Sequence, residues 1–131
     1  MVDVAKDEEP VEPTQEDRYL LAKIAMAEAE GEDIEGKMLV IRVVLNRVES
    51  EEFPDTIEEV IYEDGQFAPV SNGRFESVEP DSECWKAVCM VTLDEWDESE
   101  GALYFESCEG GSWHSDNLEY LFQSGNHKFY R

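Results

Sequence analysis

TQEDRYLLAKIAMAEAEGE, from Thr14 to Glu32, is the stretch on which the fold turns. Leu20, Leu21, Ile24, Ala25 and Ala27 recur with helical spacing along one side of it. Thr14 followed by Asp17 has the spacing of a capping box, so a helix should begin at Gln15 and run to about Glu30, with Gly31 as its stop. Glu28 lies seven residues after Leu21 and four after Ile24, which sets a carboxyl on the buried stripe. Burial and the negative end of the helix dipole both favour its protonated form. A carboxylic acid that can give up a proton near neutral pH is suited to breaking a glycosidic bond. The plain alternative is compositional. With 33 acidic residues in 131, a glutamate falls on any face by chance, and Glu30, Glu32 and Asp33 read as a solvated turn.

A chain of this length holds one domain with a real core, and 41% hydrophobic residues with three Trp, five Tyr and six Phe suit it. The net charge of −23 does not fit a binder of nucleic-acid backbones, because the ten basic residues are scattered. It equally disfavours an anionic membrane surface, and no apolar run is long enough to insert into a membrane. Met1–Pro13 is acidic, holds two prolines and lacks periodicity, so residues 1–13 are expected to be a disordered tail or linker. It has neither the basic start nor the apolar segment of a signal peptide. Cys84, Cys89 and Cys108 lack C-x-x-C spacing; a zinc site with His114 or His127 is conceivable, but free thiols are the default and no metal is expected.

Beyond the first helix, a second is expected from Ile34 to Glu49, with Ile34, Met38, Ile41, Leu45 and Val48 as its buried stripe and Arg42 and Arg47 elsewhere on its surface. Asp55 or Thr56 can cap a short third helix carrying Ile57, Val60 and Ile61. Asn72-Gly73 between short apolar stretches predicts a hairpin over residues 65–75, bearing a cleft-side loop. Asp81 or Ser82 starts a further helix through Thr92. Ala102–Phe105 reads as a strand, Cys108–Asp116 as a Gly-rich loop, and Leu118–Arg131 as two strands turning at Ser124-Gly125. The expected class is mainly α with a small β element.

Several short motifs follow one another in order: Ala27-Glu28-Ala29-Glu30-Gly31-Glu32, Gly36, Val44-Leu45-Asn46-Arg47, Phe53-Pro54, Val60-Ile61-Tyr62, Gly65-Gln66-Phe67, Asn72-Gly73, Ala102-Leu103-Tyr104-Phe105 and Gly125-Asn126-His127-Lys128-Phe129. Together they resemble the cell wall hydrolase family of the spore cortex-lytic enzymes SleB and CwlJ, over roughly Tyr19 to Arg131. The resemblance implies a lysozyme-like (α+β) catalytic domain over residues 14–131. It implies peptidoglycan glycan strands as substrate, at the cell wall or spore cortex, with no cofactor and with any accessory protein left open. The first Glu of the family motif is its catalytic acid, which here is Glu28. In a lytic transglycosylase one carboxyl protonates the bridging oxygen and then takes the proton of the muramic C6 hydroxyl, closing a 1,6-anhydro ring.

Gln66 and Phe67 are candidates to hydrogen-bond and stack on a sugar, and Asn72, Tyr104 and His127 are further candidates for substrate contact, each with a structural alternative. Asn46 either positions Glu28 or caps a backbone group. Many members carry Arg where this chain has Glu30, an exchange expected to push the Glu28 carboxyl further up. Two alternatives stay open: a hydrolase using Glu32, Glu76 or Glu106 as second carboxylate, and a glycan-binding module without turnover.

Overall fold

The computed structural model describes residues 12–109 and 113–131. Most of the expected acidic tail, and the glycines of the loop at 110–112, lie outside these. Helix α1 (Gln15–Ala29) begins with the capping box: Asp17 N donates to Thr14 Oγ1 and Thr14 N to Asp17 Oδ2, both at 3.0 Å. It is buried nearly all round, with Leu21, Ala22, Ile24 and Ala25 fully covered, so it forms the axis of the core. Its alanines let α2 (Ile34–Glu49) and α6 (Ser82–Thr92) approach closely, while the short α3 (Ile57–Tyr62) and α5 (Arg74–Ser77) complete the wrap. Asp33, Thr56 and Asp81 cap α2, α3 and α6 through side-chain oxygens that accept from backbone N–H groups.

The β element is a three-stranded antiparallel sheet in the order β1-β3-β2, built from β1 (Tyr104–Ser107), β2 (Tyr120–Ser124) and β3 (His127–Tyr130). Helix α7 (Trp113–Asn117) lies between β1 and β2 in the chain. A second apolar cluster of Leu39, Val43, Ala102 and Phe129, joined by Phe105, Leu121 and Phe122, fastens the sheet to α2. The class is therefore as the sequence predicts, mainly α with a small sheet.

Four local expectations are corrected, the first being the loop expected over Cys108–Asp116, which runs into helix α7 from Trp113. The stretch predicted as a hairpin is two short helices, α4 (Ala68–Asn72) and α5, joined at Gly73. Gly73 has φ +91°, and the left-handed conformation that would turn a hairpin here stops a helix instead. The strand expected from Ala102 starts at Tyr104, because Ala102 closes a turn: its N–H donates to Ser99 and its carbonyl accepts from Asn46. Arg47 is not on the surface of α2. It lies three residues after Val44 and seven after Val40, on the buried side, and is 3% exposed.

Candidate active site

Glu28 stands in the last turn of α1, where a cavity of about 450 Å3 opens between that helix, the 65–68 loop, β1 and α7. Arg47, Gln66, Phe67, Tyr104, Phe105, Trp113 and His114 share its wall with Glu28. Desolvation pushes the Glu28 carboxyl from an ordinary 4.5 up to about 7, outweighing the opposing charges of Arg47 and then Arg74. Burial is therefore the cause. The helix end itself is neutralised: Arg74 donates to the Ala27 carbonyl at 2.9 Å, and the Lys37 ammonium donates to the carbonyls of Glu30 and Glu32. Glu30, expected to push the carboxyl further up, instead pairs with Arg74 at 2.6 Å.

Arg47 is the feature the sequence reading misplaced. Its guanidinium lies 4.6, 5.0 and 5.2 Å from the ring centroids of Phe53, Phe67 and Tyr104, and its Nε donates to the Leu103 carbonyl at 2.7 Å. Burial lowers it to about 10, which still leaves it a cation at neutral pH. One terminal nitrogen, Nη1, is buried without a hydrogen-bond partner among the described residues. A fixed positive charge thus waits beside a carboxyl that must ionise when it gives up its proton.

Of the candidate substrate contacts, Gln66, Phe67 and Tyr104 lie on the cavity wall, and Asn72 and His127 do not. Asn72 turns inward on its own backbone, its Oδ1 accepting from Arg74 N at 2.9 Å. His127 is buried on β3 between Phe105 and Phe129, where desolvation holds its pKa down. Asn46 does not reach Glu28. Its Nδ2 donates to Ser99 Oγ and the Ala102 carbonyl, fixing the turn that precedes β1. The periodicity that places Val40 and Val44 could have found Arg47. Trp113 and His114, which the sequence offers as rings placed for sugar stacking though outside the family motifs, also lie on the cavity wall.

None of the three glutamates considered as a second carboxylate lines the cavity, although Glu106 stands directly behind its wall, its Oε1 3.1 Å from His114 Nδ1. Glu32 accepts from Asn126 N at 3.2 Å, which ties the α1–α2 turn to the β2–β3 turn. Glu76 accepts from the Tyr62 hydroxyl, and Glu106 from the Tyr130 hydroxyl. Among the described residues, no group of three or more His, Cys, Asp or Glu side chains is placed to hold a metal ion.

The model of the cell wall hydrolase family matches residues 31–130. The chain belongs to the cell wall hydrolase family. The matched span starts three residues after Glu28, so that carboxyl is singled out by its burial and its place on the cavity wall. Spore cortex-lytic enzymes of Oceanobacillus iheyensis and Bacillus subtilis are 39% identical over 92 residues and 37% identical over 89, covering 70% and 68% of this chain. The chain spans about a third of the length of these relatives, 33% and 28%. The catalytic domain of the germination-specific lytic transglycosylase SleB from Bacillus anthracis superposes with a TM-score of 0.81 at 30% identity, over 94% of this chain and the whole of that one. The catalytic domain of Bacillus cereus SleB gives the same score at 31% identity, over 93% and 94%. The chain therefore has the lysozyme-like fold of the SleB catalytic domains.

Proposed function

We propose that this domain cuts the glycan strands of peptidoglycan, at the cell wall or spore cortex, as a lytic transglycosylase with Glu28 as its one catalytic carboxyl. The observation that carries the reading is a carboxyl held near pKa 7 on the wall of an aromatic-lined cavity, with a buried cation beside it. Protonated Glu28 gives its proton to the oxygen joining N-acetylmuramic acid to N-acetylglucosamine. The bond to the anomeric carbon breaks as positive charge develops there. The Glu28 carboxylate, now stabilised by Arg47, takes the proton of the muramic C6 hydroxyl as that oxygen closes on the anomeric carbon. Phe67 and Tyr104 offer ring faces and Gln66 an amide to the sugars. Relatives named for spore cortex lysis and for lytic transglycosylation support the same substrate and chemistry.

The test is mass spectrometry of the fragments released from purified peptidoglycan and from decoated-spore cortex by the wild type and Glu28→Gln. Fragments ending in 1,6-anhydromuramic acid, absent with the variant, are expected. Anhydro fragments that persist in Glu28→Gln would remove Glu28 from the chemistry, and glycan binding without cleavage by the wild type would make this a binding module.

A further inference from the structure

Besides Glu28, Arg47 and Tyr104, the titratable side chain on the cavity wall is His114. It is held from behind. His114 Nδ1 lies 3.1 Å from Glu106 Oε1, and the other oxygen of Glu106 accepts from the Tyr130 hydroxyl at 2.7 Å. The Glu106 side chain is 12% exposed, so this pair is shielded from solvent more than a surface pair would be. Rings of Tyr104, Trp113 and Tyr130, with centroids 5.3 to 6.2 Å away, pack about the imidazole and fix its plane. With Nδ1 engaged by a carboxylate, Nε2 is the nitrogen left to accept a proton. A base oriented by a carboxylate, in one cavity with a protonated acid, is the arrangement that activates a nucleophile.

We propose that the Glu106–His114 pair gives this cavity a second, hydrolytic activity, in which His114 draws a proton from a water molecule attacking the same anomeric carbon. The inference rests on the proposed action at glycan strands. Glu28 transfers its proton to the bridging oxygen, and the bond from that oxygen to the anomeric carbon breaks with its electron pair going to the leaving sugar. The water oxygen forms the new bond to the anomeric carbon, and its surplus proton passes to His114 Nε2, where Glu106 offsets the imidazolium charge. One proton has left Glu28 and one has reached His114; exchange with solvent resets both. The muramic C6 hydroxyl is not consumed. The product ends in a free hemiacetal, heavier by one water than the anhydro end.

The ratio of the two ends tests this. Borohydride reduces the hemiacetal end and leaves the anhydro end unchanged, so mass spectrometry of reduced digests counts both. The wild type should yield both kinds, and His114→Gln should lower the hydrated-to-anhydro ratio at least tenfold. Glu106→Gln, which keeps the imidazole but removes its carboxylate, should lower the ratio less. A merely structural role would depress both ends together and leave the ratio unchanged, which would overturn the proposal. Anhydro ends alone from the wild type would also overturn it while leaving the transglycosylase reading intact. Hydrated ends alone, lost in His114→Gln, would keep it and remove that reading. No ends of either kind would remove both.

Discussion

Glu28 is stable as an acid and poorly accommodated as an anion, and this has consequences for both activity and stability. Its folded-state pKa of about 7 lies above the ordinary 4.5, so the folded chain binds a proton that the unfolded chain has already released. Below pH 4.5 both states are protonated and Glu28 costs nothing. The penalty grows between those values and is complete above about pH 7, at up to about 3 kcal/mol. Glu28→Gln should therefore raise the melting temperature at pH 8 and change it little at pH 4.5; equal shifts at both would refute this. Cleavage by the wild type should decline as pH rises through about 7, because the acid form is lost. Arg47 opposes the upward shift, so its removal raises the Glu28 pKa further. Arg47→Met should move that decline to higher pH and cost roughly 2–4 kcal/mol in denaturant unfolding, from three lost ring contacts and an unsatisfied carbonyl. Arg47→Lys keeps the charge and should leave the decline near its wild-type pH. The helical spacing of Leu21, Ile24 and Glu28 makes the acid legible in the sequence. Arg47 is harder to see, because burial of a guanidinium depends on the Phe53, Phe67 and Tyr104 rings that only folding gathers.

Elements end where the sequence supplies a chemical stop, which is why α1, α2, α3 and α6 fall within a residue or so of their expected limits. Thr14, Asp33, Thr56 and Asp81 act through bonds to backbone groups three positions away, so their effect is local. The 65–75 segment differs because Asn-Gly serves either a hairpin or a helix end, and local sequence does not choose between them. Phe75, fully buried against the helices, favours the helical arrangement. The β2–β3 turn shows a long-range constraint of another kind. Gly125 has φ +57°, and a Cβ there would collide with the Glu32 carboxyl, which reaches across from the α1–α2 turn to Asn126 N. Gly125→Ala should lower stability by roughly 2 kcal/mol, part from backbone strain and part from that collision. Glu32→Ala should relieve the second part. A double-mutant cycle by thermal unfolding is therefore expected to be non-additive, and strict additivity would disprove the contact.

The whole molecule carries −23, and among the described residues Lys23, Lys37 and Arg47 are buried, so the surface is more one-sided than the composition indicates. Self-repulsion of such a surface opposes the compact state and is screened by salt. The melting temperature should rise by several degrees between about 0.1 M and about 2 M potassium chloride, as the Debye length falls from about 10 Å to below about 3 Å. A flat profile would mean that the surface charges are already neutralised by local pairing. The amino-acid order alone settles helices α1, α2, α3 and α6, the class of fold and the candidate acid, because these follow from periodicity and from bonds between near neighbours. The tertiary structure alone decides that Glu28 faces Arg47, that Glu32, Asn72 and His127 are held away from the cavity wall, and that Glu106 stands behind His114. Those relations join residues far apart in the chain, and local spacing carries no record of which distant side chains the packed core will bring together.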